Sequence, residues 1–89
     1  MEDPDQVIEA VGRRIGELRA RAGQTQAEVA EALGTTVSNF QRIEAGEQNL
    51  TLRTMARIAN VIGVTVAEFF TKPELPERKR GRPRKQPPG

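Results

Sequence analysis

Arginine, carboxamide and hydroxyl side chains gathered at helical spacing have the donors and acceptors needed to read a nucleic acid. In this sequence they collect between Gln26 and Asn49, most densely as Thr36, Ser38, Asn39, Gln41 and Arg42. A guanidinium can grip guanine O6 and N7 with two bonds, and carboxamides and hydroxyls can hydrogen-bond several bases. A second concentration, Arg78-Lys79-Arg80-Gly81-Arg82-Pro83-Arg84-Lys85, is almost purely basic. Catalytic chemistry is poorly provided for. The sequence has no Cys, His, Trp or Tyr, which removes disulfides, Cys or His metal sites, thiol chemistry and every His-dependent acid–base pair. The glutamates are scattered over helix caps and polar faces, so the expectation is a binding protein with no metal, no cofactor and no small-molecule substrate.

The 89 residues suffice for one small core. The formal charge of +2 hides a division along the chain. Residues 1–77 carry eight Arg/Lys and twelve Asp/Glu, a net −4, whereas residues 78–89 carry six Arg/Lys and no acid, a net +6. The body therefore gains little from general attraction to a polyanion, and the basicity belongs to the tail. No apolar run is long enough to cross a bilayer, and the start (Met1, Glu2, Asp3) is acidic where a signal peptide is basic. These features predict a cytoplasmic chain with no membrane contact.

The polar run needs rigid elements to hold it, and helix punctuation supplies five. Asp3 can cap a first helix with Pro4 at its first position, and Val7, Ile8, Val11, Ile15, Leu18 and Ala22 follow at helical spacing until Gly23. Gly12 and Gly16 each cost about 1 kcal/mol in a helix interior, so either a neighbour approaches closely there or the first half frays. Thr25 and Glu28 form a capping box for a second helix, about 26–33, with Val29, Ala30 and Leu33 apolar and Gly34 as its stop. Thr35 or Thr36 can cap a third, about 37–45, with Phe40 and Ile43 inward. Thr51 starts a fourth with Leu52, Met55, Ile58, Ala59 and Ile62 on one side, and Thr65 with Glu68 opens a short fifth through Phe69 and Phe70. The domain is predicted to span residues 1–72. Beyond it only Leu75 is aliphatic, so residues 73–89 are expected to be a disordered Pro/Arg/Lys-rich tail.

Two short capped helices meeting across Gly34-Thr35-Thr36 predict a helix-turn-helix, with the outer face of the third helix free to enter a major groove. Spacing alone leaves open a small helical bundle with no ligand. The residues themselves say more. Leu18-Arg19, Thr25-Gln26-Ala27-Glu28-Val29-Ala30, Leu33-Gly34-Thr35-Thr36, Phe40, Arg42-Ile43-Glu44-Ala45-Gly46, Leu52, Ile58-Ala59 and Ile62-Gly63-Val64 together resemble the Cro/C1-type (Xre) helix-turn-helix regulators, over about residues 13 to 70. The resemblance implies an all-α, lambda-repressor-like, five-helix DNA-binding domain of prokaryotic or phage origin, working at the nucleoid as a transcriptional regulator.

It also implies roles. Gln26 would bond a DNA phosphate at the amino end of helix 2, where the terminus adds partial positive charge. Thr36, Val37, Ser38, Gln41 and Arg42 would face base edges, with Asn39 reaching a phosphate or a base. Arg42 is the foremost specificity residue, and Val37, where the family often has a polar side chain, can sense only a thymine methyl. Arg19 and Glu44 would form a buried ion pair behind the recognition helix. Gln24 stands where the family usually has an apolar residue and Leu50 where it often has proline, which predicts a less anchored corner and a less rigid loop. Asn49-Leu50-Thr51 spells a glycosylation acceptor, but Asn49 is read as a loop amide donor to phosphate. Asn49-Leu50-Thr51-Leu52 is similar to the controller proteins of restriction-modification systems.

The partner called for is double-stranded DNA, bound by a homodimer on an operator with two half-sites. Leu50, Val64, Val66, Phe69 and Phe70 offer apolar surface for the contact between copies, although either phenylalanine could instead close the monomer core. In the tail, Arg80-Gly81-Arg82-Pro83 looks like an AT-hook, with Gly81 letting the backbone approach the minor-groove floor, Pro83 holding the chain extended, and both arginines entering the groove. A generic polybasic tail, or a nuclear import signal in a eukaryote, has the same composition. The competing reading of the whole chain is a protein-interaction module, such as an antitoxin or adaptor, whose basic tail binds an acidic partner.

Overall fold

A computed structural model describes residues 2–72; the tail from residue 73, with its AT-hook-like Arg80-Gly81-Arg82-Pro83 and its expected disorder, lies outside the described residues. Four α-helices run as α1 (Pro4–Arg21), α2 (Gln26–Leu33), α3 (Val37–Glu44) and α4 (Leu52–Ile62). A 3-10 helix, Val66–Phe70, follows, and no strand occurs among the described residues. The caps are those the side chains dictate. Asp3 accepts the Asp5 amide at 2.9 Å, Thr25 and Glu28 satisfy each other's amides at 3.0 and 2.8 Å, and Thr36 and Thr51 accept the third amide of their own helices at 3.0 Å.

The fifth α-helix expected after Thr65 is instead the five-residue 3-10 turn. Thr65 N donates to Glu68 Oε2 at 3.3 Å, so the start signal operates, but the winding is tighter. A 3-10 turn sets residues i and i+3 above one another. That puts Val66 and Phe69 together against the core and leaves Phe70 outside, 55% exposed. Leu52, expected on the apolar side of α4, also lies outside the core. It aligns with Met55 one turn later, yet at the first position of α4 it is 72% exposed.

The core is one cluster in which Ile15, Val29, Phe40, Ile58 and Phe69 are completely enclosed. Helix α1 lies against both α3 and the 3-10 turn, and α2 against α3 and α4. Of the two outcomes open for Gly12, close approach holds: a Cβ there would lie 2.5 Å from the Ile43 carbonyl oxygen and 2.9 Å from that of Glu44. Only a missing side chain lets the end of α3 reach α1. Gly46 completes the contact from the other side, with φ +77 and its Cβ position 2.7 Å from Glu9 Cα.

Polar groups tie the remaining joints. Arg14 is buried, donating from Nε to the Glu68 carbonyl at 3.2 Å and from Nη1 to Glu17 Oε1 at 3.2 Å, which fastens α1 to the 3-10 turn. Gln24, expected to weaken the corner before α2, donates to the Val61 carbonyl at 3.1 Å and so ties that corner to α4 with a hydrogen bond in place of an apolar contact. Its Oε1 is buried without a partner. No described helix is long and apolar enough to cross a membrane.

Candidate nucleic-acid interface

Helix α3 is short and divided lengthwise. Phe40 and Ile43 are buried, Asn39 and Glu44 half-buried, and Val37, Ser38, Gln41 and Arg42 exposed. At about 100° per residue, the exposed four share a single outward face. The turn that presents this face needs Gly34 in the left-handed region, φ +77, where Thr35 N reaches back to the Ala30 carbonyl at 2.9 Å. Arg57 of α4 donates from Nη2 to the Leu33 carbonyl at 2.9 Å, occupying an otherwise open acceptor at the end of α2.

Behind α3 stands the pair that the family resemblance implied. Arg19 Nε donates to Glu44 Oε2 at 2.5 Å and Nη2 to Oε1 at 3.2 Å, a two-bond fork, while Nη1 donates to the Gln24 carbonyl at 2.7 Å. The two side chains are 16% and 12% exposed, so the pair is largely but not wholly shielded from water. Gly16 makes room for it, since a Cβ there would stand 3.1 Å from Glu44 Oε1.

The remaining expected residues divide into those the structure leaves open and those it engages internally. Ser38 and Val37 are open, Val37 at 39% exposure. Arg42 faces Glu47 across 3.8 Å, both about 60% exposed, an ion pair worth little in water that leaves the guanidinium available. Thr36 accepts the Asn39 amide and keeps its hydroxyl proton for a further partner. Asn39, expected to reach a phosphate or a base, is engaged within the chain. Its Nδ2 donates to Thr35 Oγ1 at 2.9 Å and its Oδ1 accepts from Gln48 Nε2, which fixes the loop after α3 to the start of that helix.

Gln26, expected to bond a phosphate, is engaged within the chain as well. Its Nε2 donates to Glu44 Oε1 at 2.8 Å and its Oε1 accepts from Gln41 Nε2 at 3.2 Å, so a phosphate could use only the second amide hydrogen. Asn49 is exposed in the loop. Gln48, Arg57 and Thr35 carry positioning bonds that no local pattern marks, because their partners lie on other elements or across the turn.

Of the residues expected between copies, Leu50, Val64 and Val66 are half-buried against the core. Phe69 is 1% exposed and belongs to the monomer core, so it has no surface left for a partner. Phe70 is open and borders an apolar depression with Val7, Ile8, Leu50 and Met55. Among the described residues, no group of three acidic side chains is placed to hold a metal ion.

A family model described as a helix-turn-helix domain matches residues 10–69. The HTH-type transcriptional regulator PuuR of Escherichia coli strain K12 is 34% identical over 68 residues, covering 76% of this chain and 37% of PuuR, and its Shigella flexneri counterpart gives the same figures. The match thus spans little more than a third of those curated relatives. Among solved structures, the restriction-modification controller protein C.AhdI from Aeromonas hydrophila superposes with a TM-score of 0.72 at 26% identity, over 78% of this chain and all of that one. The clp gene regulator ClgR from C. glutamicum gives 0.68 at 27% identity, over 71% of this chain and 82% of that one.

Proposed function

Because the chain belongs to the helix-turn-helix family of Cro/C1 type, we propose that it is a sequence-specific double-stranded DNA-binding transcriptional regulator. One observation carries the reading: α3 turns Val37, Ser38, Gln41 and Arg42 outward together while Phe40 and Ile43 lock its other side into the core. A face of this width reaches few base pairs. Two copies of the chain supply affinity and length, on half-sites about one helical turn (roughly 34 Å) apart. Phe70, Leu50 and the depression beside them provide apolar surface suited to that association.

The tail has a separate part in this reading. Its six basic residues sit on a chain whose first 77 residues are acidic, so they supply the phosphate attraction the body lacks, with Arg80-Gly81-Arg82-Pro83 suited to a narrow A·T-rich minor groove. Deleting residues 78–89 is expected to weaken binding and to lower the magnitude of the salt slope by up to about 5, at roughly 0.9 per lost phosphate contact.

The test is a mobility-shift titration on genomic fragments with the full chain, Arg42→Ala and the tail deletion. Sequence-selective shifts that disappear in Arg42→Ala are the expected result. Shifts that depend on the tail alone, with no preference among fragments, would identify a polyanion-binding interaction module instead.

A further inference from the structure

The residue types left the preference of Gln41 open, and the hydrogen bonds around it narrow the choice. Glu44 is a carboxylate forked to the Arg19 guanidinium, and a carboxylate only accepts. The atom of Gln26 that meets Glu44 Oε1 at 2.8 Å must therefore be its amide nitrogen. That leaves the Gln26 oxygen facing the other way, toward Gln41 at 3.2 Å, and an amide oxygen only accepts. Gln41 must in turn present its nitrogen to Gln26. The orientation of each carboxamide is thus dictated in sequence from Arg19 outward, and no free flip remains.

We propose that Gln41 reads adenine and that Gln26 is the residue positioning it. With one N–H given to Gln26, Gln41 keeps one N–H donor and one carbonyl acceptor side by side on the exposed face of α3. Adenine offers the complement in the major groove, an acceptor at N7 and a donor at N6. Guanine offers two acceptors there, and cytosine a lone donor. The tether also settles rotamer entropy before binding, since Gln41 is held by a partner that is itself held. Arg42 has only the loose contact to Glu47 and reads whatever guanine lies within its reach. The proposal rests on the DNA-binding reading above and assigns a base to one side chain within it.

Selection of bound sites from random duplexes, run with the full chain and with Gln41→Ala, Gln41→Glu and Gln26→Ala, tests it, with thermal melting to establish that each variant folds. Gln41 is exposed, so its variants are expected to melt as the parent does. The parent should select one A·T pair per half-site that Gln41→Ala ceases to prefer, with a loss of about tenfold or more in discrimination at that pair. Gln41→Glu should move the preference at the same pair to cytosine, whose N4 donates to a carboxylate. Gln26→Ala should relax that pair and leave the others as selected, which a general loss of stability would not do.

A parent that selects no sequence refutes the DNA-binding reading itself. A parent that does select, with every position unchanged in both Gln41 variants, overturns the adenine assignment alone. Relaxation in Gln41→Ala with none in Gln26→Ala would overturn the positioning role.

Discussion

Two parts of the surface are built by opposite means. Around α3 the polar side chains are tied to each other and back to α1, through Arg19, Glu44, Gln26 and Gln41 on one flank and Thr35, Asn39 and Gln48 on the other. Beside the first turns of α1, the loop before α4 and the 3-10 turn, apolar side chains are left partly open, with Phe70 prominent. Hydrogen bonds fix direction, so the first surface is arranged before any ligand arrives. Apolar contact is tolerant of geometry, and the second surface has area to bury but few directional bonds. Reading bases needs the first property, and pairing copies needs only the second.

The comparison breaks most severely at the ion pair. Arg19→Ala or Glu44→Ala strands a shielded charge, and the loss expected in denaturant unfolding is about 3 kcal/mol, the lower end for a buried pair because both groups keep some exposure. DNA binding should vanish with it. Next comes Gly12→Ala, which improves helix propensity yet drives a Cβ into the Ile43 carbonyl. A net destabilisation of about 1–3 kcal/mol is expected from overpacking. Unchanged or raised stability would mean that α1 and α3 are not in such close contact.

On the apolar surface, Phe70→Ser should leave unfolding within about 0.5 kcal/mol of the parent, as at other exposed positions. It should nonetheless shift light-scattering mass toward the monomer across a concentration series. Unaltered association would place the contact between copies elsewhere. Gln24→Leu is expected to act on stability alone, and weakly. It removes a buried oxygen without a partner but also the donor to the Val61 carbonyl, so stability should change by less than about 1 kcal/mol.

What was legible from sequence was local. Thr25 with Glu28, Thr36, Thr51 and the glycine stops at Gly34 and Gly63 place three helices, and Asp3 with Pro4 a fourth, because a cap and its amides lie within one turn. The Arg19–Glu44 pair came from the family resemblance, since 25 residues separate its members. What stayed hidden depends on distant partners. Gln24 read as a weak corner until Val61, 37 residues away, supplied an acceptor. The internal partners of Gln26 were equally hidden, because nothing beside it reveals Glu44 and Gln41 as its neighbours.

Arg14 carries no local mark that separates a buried arginine from a surface one. The two phenylalanines could not be ranked either, because the same capping residues start an α-helix or a 3-10 turn. Only the tighter winding sends Phe69 inward and Phe70 out.

The claim that the outer face of α3 meets DNA is tested most directly by backbone amide NMR of the full chain, titrated with a duplex recovered from random-pool selection. The largest shift changes are predicted at residues 36–42, with smaller ones at 25–26 and in the tail. Changes confined to residues 78–89, with 36–42 unmoved at saturation, would contradict it.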